Sequence, residues 1–472
     1  MKRFMVCAVL TFSFFAVSVC AQTKEPSDKL ESSGKRDQIK QAEQEASVSK
    51  EPYTFVSSRK TGTVDRVEVT LEAAGEITQF LEDQKSESDQ IEFVAKFRYE
   101  EFTKKFAPKQ GTSLQSLRYY DTAKGAVTVS DRHSSPELEK NRKLIVCNIN
   151  NHQTTLFSPT GTLKNDQLLL IEDLPGNTLL LDQLLPEYPV KTGDSWEIPE
   201  KALCSLLGLD LVEKHEIEAV LTSVKNDVAL VEIAGNAEGA YLGAASEMEV
   251  RVKYQFDLKQ NRITWLGLLI QENRSLGHVG PAVKLIARLL IDIKPDQKAE
   301  YLTEENVKTI STEADPKLLQ LRFESPEKAL WTFTHDRRWY VILDEPGNTK
   351  MRMLNKGEVV SQCDITEMPE AENFNFSTLE TFQKKLKEGL GEYFGEFVSS
   401  SQRKNENNYR ELRVIVDGTV KDMPLRWVYY LISDQDGNQA ILAFVIQADM
   451  LEVFDKSDIE LVRSFRLTPK SK

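Results

Sequence analysis

Strand-length segments in which apolar and polar residues alternate follow one another through the first two thirds of the chain. In residues 91–99 every odd position is apolar, whereas Glu92, Lys96 and Arg98 share the other face. This period of two is typical of a half-buried β-strand. Because short turns separate the segments, they predict a large curved antiparallel sheet. The other segments are residues 64–71, 117–120, 143–149, 167–171, 215–223, 228–233, 247–256, 262–271 and 283–293.

Leucine-rich stretches interrupt the alternation. Residues 168–170, 179–181 and 266–270 are apolar on both faces of their segments, and residues 178–185 and 199–207 are helical candidates. Two alternatives follow. The sheet encloses an apolar groove that could hold a lipid-like ligand, or the helices fill its concave face as a packed core. This β-rich part resembles the curved-sheet lipoprotein carriers of the periplasm.

The first residues have the composition of an export signal. Lys2 and Arg3 precede the apolar residues 5–19, and Ala21 suits a cleavage site. We therefore predict a signal peptide over residues 1–21 and a secreted or periplasmic protein. Lipidation of Cys20 is the alternative, although Val19 stands where lipoprotein signals carry a small residue. Residues 22–51 are nearly devoid of large apolar side chains, which predicts a disordered tether.

Net charge and cysteine content exclude several classes of protein. The formal charge of −13 argues against nucleic acid as a partner. The mature chain has no apolar run of the ~20 residues that a transmembrane helix needs. Its three cysteines, Cys147, Cys204 and Cys363, form no zinc-binding motif, and whether any two of them pair is left open.

The last third of the chain carries a second pattern. Residues 294–316 are polar with proline near both ends, which predicts a linker over residues 295–316. A capping box at Ser377 and Glu380 begins an apolar stripe that runs to Phe397 and predicts a helix of about five turns. Strands follow over residues 411–416, 425–433 and 439–447, and a second capping box at Ser457 begins a final helix.

These elements resemble the PsbP/DcrB-like fold. The resemblance rests on an early hairpin with Trp339, the long amphipathic helix, a meander containing residues 427–430 and the closing residues 459–465. It covers about a third of the chain. It implies a sheet sandwiched by helices in a binding or accessory protein, with no catalytic residues shared within the family.

Candidate catalytic residues are few. Asp194 and Ser195 lie in a Gly-Asp turn before Trp196 without a nucleophile elbow, and His278 lies in a glycine-flanked loop. His335 precedes a turn, residues 434–438 form a hairpin turn and not a calcium loop, and residues 239–246 suggest a bend in the sheet. We predict no catalytic, cofactor-binding or metal-binding residue and no cofactor.

The sequence therefore predicts an α+β protein, in which a large curved antiparallel β-rich domain precedes a smaller PsbP-like α/β sandwich. Its expected function is that of a non-enzymatic binding or accessory protein of the cell envelope, holding an apolar ligand or a protein partner. An envelope hydrolase using Asp194, Ser195 or His278 is one alternative, and a purely structural envelope protein is the other. The predicted segments are 1–21, 22–51, 52–294, 295–316 and 317–472.

Overall fold

The computed structural model describes residues 51–80, 86–106, 113–150, 153–172, 175–324, 330–371 and 375–468. The predicted signal peptide, and the predicted tether except for Glu51, lie outside these residues. Of the described residues, 56% lie in strands and 16% in helices. The prediction of a β-rich protein built on large antiparallel sheets is thus confirmed, whereas the α+β arrangement of two domains stays a prediction.

Thirteen strands form one antiparallel sheet. Its spatial order is β6-β5-β3-β2-β1-β14-β13-β12-β11-β10-β8, with β4 paired to β3 and β9 paired to β11. The strands are β1 (Val64–Phe80), β2 (Ser86–Lys105), β3 (Ser113–Val129), β4 (Arg132–Ser134), β5 (Leu144–Asn150), β6 (Gln153–Phe157), β8 (Ser195–Glu197), β9 (Leu211–His215), β10 (Glu218–Lys225), β11 (Val228–Tyr241), β12 (Ala244–Asp257), β13 (Arg262–Arg274) and β14 (Ala282–Lys294).

The inner face of this sheet is filled with apolar side chains. Along β2, Phe97 and Tyr99 are buried while Arg98 is exposed, as the alternation predicts. Helices α1 (Asn165–Glu172) and α2 (Glu200–Leu207) pack onto the same face, together with a 3-10 turn over Leu181–Leu184. These elements bury most of the leucine-rich stretches, although Leu169 stays 42% exposed, and they form a packed core over the covered part of the sheet.

Residues 167–171, predicted as a strand, lie in α1 instead. Leu168, Leu170 and Ile171 of this helix are all buried. A five-residue apolar run fits a buried helix as well as a buried strand, so periodicity alone could not decide between them. The predicted helix over residues 178–185 shortens to the 3-10 turn.

The polar segment predicted as a linker packs against the outer face of the sheet. It contains helix α3 (Glu304–Thr309), and Leu302 is fully buried there beside Phe102 and Val146. The carboxylate of Glu100 accepts backbone hydrogen bonds from Glu300, Tyr301 and Leu302 at 2.6, 3.0 and 2.9 Å. A buried carboxylate on the sheet thus holds a segment whose composition alone indicated an exposed linker. The predicted boundaries of the two domains stay a prediction.

A four-stranded sheet joins the two parts of the chain. Its order is β24-β16-β15-β7, and β7 pairs with β15 in parallel through Leu163 and Leu321. Its strands are β7 (Leu163–Lys164), β15 (Leu321–Glu324), β16 (Trp331–His335) and β24 (Arg466–Leu467), with the short helix α4 (Pro316–Leu319) before β15.

A seven-stranded sheet completes the fold, in the order β17-β18-β19-β23-β22-β21-β20. Helix α5 packs on one face through Phe382 and Leu386, and the last two helices pack on the other through Phe454 and Leu461. The elements are β17 (Trp339–Glu345), β18 (Asn348–Asn355), β19 (Glu358–Met368), α5 (Leu379–Leu390), β20 (Phe394–Lys404), β21 (Arg410–Val420), β22 (Met423–Ser433), β23 (Gln439–Gln447), α6 (Leu451–Phe454) and α7 (Ser457–Ser464).

The predicted five-turn helix is shorter than its apolar stripe. It ends at Leu390, because Gly391 adopts a φ of +54°, and Phe394 and Phe397 lie in β20. Its cap is also one residue later than predicted, since the Thr378 hydroxyl accepts from the backbone N–H of Thr381 at 3.2 Å.

Candidate functional site

Asp194 and Ser195 lie in an exposed turn. The Asp194 carboxylate accepts a hydrogen bond from the backbone N–H of Lys191 at 2.8 Å and so closes the turn. Ser195 begins the edge strand β8, and the neighbouring Trp196 is buried, its indole N–H donating to the carbonyl of Leu184 at 3.1 Å. The Asp194 turn therefore positions Trp196 against the 3-10 turn over Leu181–Leu184.

His278 lies in a different loop, the one between β13 and β14, and is exposed. Its backbone carbonyl accepts a hydrogen bond from the guanidinium of Arg352 at 2.6 Å. No hydrogen bond or ion pair within the described ranges joins His278 to Asp194 or Ser195. The three residues of the hydrolase alternative are not assembled in one hydrogen-bonded site.

His335 is buried in the four-stranded sheet. Its Nδ1 lies 2.9 Å from the carbonyl of Asp336, and its Nε2 is buried without a hydrogen-bond partner. Burial lowers the pKa of the imidazole, against the raising effect of Asp336. His335 is thus a core histidine of the four-stranded sheet.

The remaining candidates are structural as well. Residues 434–438 form a turn in which the Asp434 carboxylate accepts from the backbone of Asp436 and Asn438 at 2.9 Å each. Cys147, Cys204 and Cys363 are free thiols. Among the described residues, no group of three or more His, Cys, Asp or Glu side chains could hold a metal ion.

A network of buried charges crosses the inner face of the thirteen-stranded sheet. Glu101 on β2 is fully buried and pairs with Arg118 at 2.8 Å and with Arg59 at 3.4 Å. Asp65 on β1 pairs with Arg59 at 3.0 Å and with Arg262 of β13. Burial by itself would raise the pKa of Glu101, but Arg118 and Arg59 outweigh it and lower that pKa to about 2.

The same network also binds residues 177 and 178, which precede the 3-10 turn, to the sheet. The Thr178 hydroxyl donates to Glu101 at 2.6 Å, and Arg118 donates to the side chain of Asn177 at 2.7 Å. Sequence reasoning missed these residues, although a signal exists. Asp65 and Glu101 occupy inward positions of otherwise apolar alternating strands, where an ionised side chain persists only if it is paired.

Beyond the helices, the inner face carries an apolar surface that is only partly buried. Strands β1, β2, β3 and β14 extend past α1, whose Leu170 lies over Gly125 of β3. Further along these strands seven inward side chains are apolar, and all except Ile77 are partly exposed, while Asp89 of β2 lies opposite Ile77 on the same face. We call this the distal concave surface; it comprises Ala73, Ile77, Ile91, Phe93, Val127, Val283 and Leu285.

A charged border adjoins the distal concave surface. Glu272 of β13 pairs across strands with Leu285 and is 8% exposed. Its carboxylate accepts from the Ser246 hydroxyl and from Arg274, each at 2.7 Å, and Arg274 lies over the ring of Tyr241. An apolar surface with charged groups along one side suits an amphipathic ligand.

The outer face of β1, β14, β13, β12 and β11 carries both polar and apolar side chains. An open groove of about 610 Å³ there is lined by side chains that include Glu247, Glu249, Gln271 and Lys284. Ile286 is the neighbour of Leu285 on β14 but points to this outer face and is 53% exposed. Adjacent residues of β14 thus place one aliphatic side chain on each face of the sheet, Leu285 on the inner face and Ile286 on the outer.

Comparisons with known proteins concern the fold alone. No protein-family model matches the chain, and the search of curated proteins gives no match either. Among solved structures, cyanobacterial PsbP from Synechocystis sp. PCC 6803 is similar over 34% of this chain and 99% of its own, at 13% identity and a TM-score of 0.26. The PsbP-like resemblance is therefore supported only at low similarity and over about a third of the chain.

Two further structures are similar at comparable scores. A protein from Bacteroides thetaiotaomicron VPI-5482 matches 32% of this chain and 49% of its own, at 12% identity and a TM-score of 0.24. Lipovitellin, in a structure concerned with lipid–protein interactions, matches 51% of this chain and 26% of its own, at 8% identity and a TM-score of 0.27. In the part of the chain that the structure describes, every helix is too short or too polar to cross a membrane.

Proposed function

We propose that this chain is an exported, non-enzymatic binding protein of the cell envelope that holds an amphipathic, lipid-like ligand on the distal concave surface. One observation carries the proposal. Four adjacent strands present apolar side chains on the inner face, beyond the point where α1 covers it, and leave them partly exposed, with Asp89 at their far end. The export signal predicted from residues 1–21 supports the location.

The extent of the surface suits an acyl chain. Four strands ~4.8 Å apart and about five residues of ~3.3 Å each give an area roughly 14 Å wide and 16 Å long. Burying each CH₂ group contributes about 0.8 kcal/mol, so eight of them contribute roughly 6 kcal/mol before the cost of association. The paired charges of Glu272 and Arg274 lie at one border, where the polar end of such a ligand would remain solvated.

The strand β14 offers a matched pair of variants for the test. Leu285→Glu places a charge on the distal concave surface, whereas Ile286→Glu places the same charge on the outer face one residue away. The full mature chain is titrated with a fluorescent fatty acid. We expect saturable binding by the wild type and by Ile286→Glu, and at least tenfold weaker binding by Leu285→Glu.

Each result has a clear meaning, provided that both variants unfold cooperatively like the wild type. Absence of saturable binding by the wild type would refute the proposal. Binding by Leu285→Glu as tight as that by Ile286→Glu would contradict a ligand on the distal concave surface. A variant that fails to fold is replaced by Val127→Glu, whose control is the exposed outward residue Ala126, changed to Glu.

A further inference from the structure

The two parts of the chain are joined firmly beside α1. Strand β7 pairs with β15, and Arg337 donates to the carbonyls of Leu156 and Leu319 at 2.6 and 2.7 Å. Arg322 pairs with Glu139 at 2.9 Å, across the same junction. Backbone pairing, charge-assisted hydrogen bonds and an ion pair together make this a robust attachment.

A second attachment lies at the tips of two hairpins and is much slighter. The turn between β11 and β12 touches the turn between β18 and β19, where a Cβ on Gly243 would lie 2.5 Å from the carbonyl oxygen of Gly357. Close by, Arg352 of β18 donates to the carbonyl of His278 at 2.6 Å. Within the described residues, this contact includes a close backbone approach of two glycines and one charge-assisted hydrogen bond.

The distal concave surface lies between the two attachments. In sheet order, the firm attachment includes Leu156 of the edge strand β6, the apolar strands are β3, β2, β1 and β14, and the slight attachment is at the tips of β11 to β14. The firm side includes α1, which packs on the inner face and whose Glu172 lies 3.7 Å from Arg337. The seven-stranded sheet is therefore connected to both margins of the inner face.

We infer that the part of the chain containing the seven-stranded sheet is a lid over the distal concave surface, hinged at the four-stranded sheet and latched at the hairpin tips. This inference rests on the proposed function. Opening breaks the Gly243–Gly357 contact and the Arg352 hydrogen bond, while the pairing of β7 with β15 persists. The latch then controls how fast a bound lipid-like ligand leaves.

Two glycine variants distinguish the effect of breaking the latch from the effect of placing alanine at a positive φ. Gly243→Ala obstructs the contact with Gly357 at a φ of +80°. Gly208→Ala is the control, because Gly208 has a φ of +71° and no atom within 4 Å of an added Cβ. Arg352→Gln is a second latch variant that leaves both glycines unchanged. The dissociation rate of a fluorescent fatty acid is measured by stopped-flow displacement on the full chain.

We expect Gly243→Ala and Arg352→Gln to release the probe about tenfold faster than Gly208→Ala and the wild type. Unchanged release from both latch variants would overturn the lid. Hydrogen exchange of the ligand-free chain provides a readout that does not depend on binding. Faster exchange in residues 275–281 and 355–358 of the latch variants supports the latch even if no fatty acid binds, and unchanged exchange contradicts it.

Discussion

Replacing Glu101 by Gln tests the buried charge network. The pKa of this carboxyl is about 2 in the folded chain, against an ordinary value of 4.5. A difference of ~2.5 units corresponds to about 3 kcal/mol in favour of the charged, folded form. Removing one partner from a buried ion pair costs about 3–5 kcal/mol in general, so the two estimates agree. We expect Glu101→Gln to lower the free energy of unfolding at pH 7 by about 3 kcal/mol or more.

The pH dependence gives the sharper result. Because the pKa is lowered by folding, the contribution of Glu101 is complete above pH ~4.5 and is lost as the pH falls towards 2. By pH 3 the wild type has lost about 2 kcal/mol of the stabilisation from Glu101. The difference in free energy of unfolding between wild type and Glu101→Gln therefore narrows by that amount.

Urea unfolding at pH 7 and pH 3 measures both quantities. Glu92→Gln, at an exposed outward position of the same strand, is the control and should change stability by less than ~0.5 kcal/mol. A loss below 1 kcal/mol in Glu101→Gln at pH 7 would refute the reasoning. A difference in free energy of unfolding that is as large at pH 3 as at pH 7 would also refute it.

Three other predictions follow from separate features. Burial lowers the pKa of His335, so its contribution to stability is complete above pH ~6.5 and is lost as the pH falls below that value. Between pH 7 and pH 5, the melting temperature of His335→Gln should therefore fall less steeply than that of the wild type. Glu100→Gln should expose residues 298–310 to limited proteolysis, whereas early cutting of the wild type there would favour an exposed linker. The exported protein should begin at Gln22, and an intact mass that shows a diacylglyceryl group on Cys20 would contradict this.

The long antiparallel strands could be predicted because one residue in two faces the core. Phe97 and Tyr99 show this pattern on β2, and Leu289 and Ile291 show it on β14. The pattern cannot show where a second element covers the sheet. Residues 167–171 form a helix because tertiary packing, not periodicity, decides the structure of a short apolar run. Phe394 and Phe397 continue the spacing of α5, yet Gly391 ends the helix before them.

Composition was the weakest guide to burial. The segment around Leu302 is polar overall, but a single carboxylate, that of Glu100, accepts three of its backbone N–H groups and holds it to the sheet. Such a long-range contact, between residues 200 positions apart, leaves no local pattern in the sequence. For the same reason, the sequence pattern does not locate the distal concave surface, whose extent depends on where α1 packs on the sheet.

Photo-crosslinking tests the central claim most directly. The full mature chain is irradiated with a fatty acid that carries a diazirine at the end of its tail, and the modified residues are located by peptide mass spectrometry. The account predicts labels on inward residues of β1, β2, β3 and β14, among them Ile91, Phe93 and Leu285, with competition by unlabelled fatty acid. Labels confined to outward residues such as Val94 and Ile286, or labelling without competition, would contradict it.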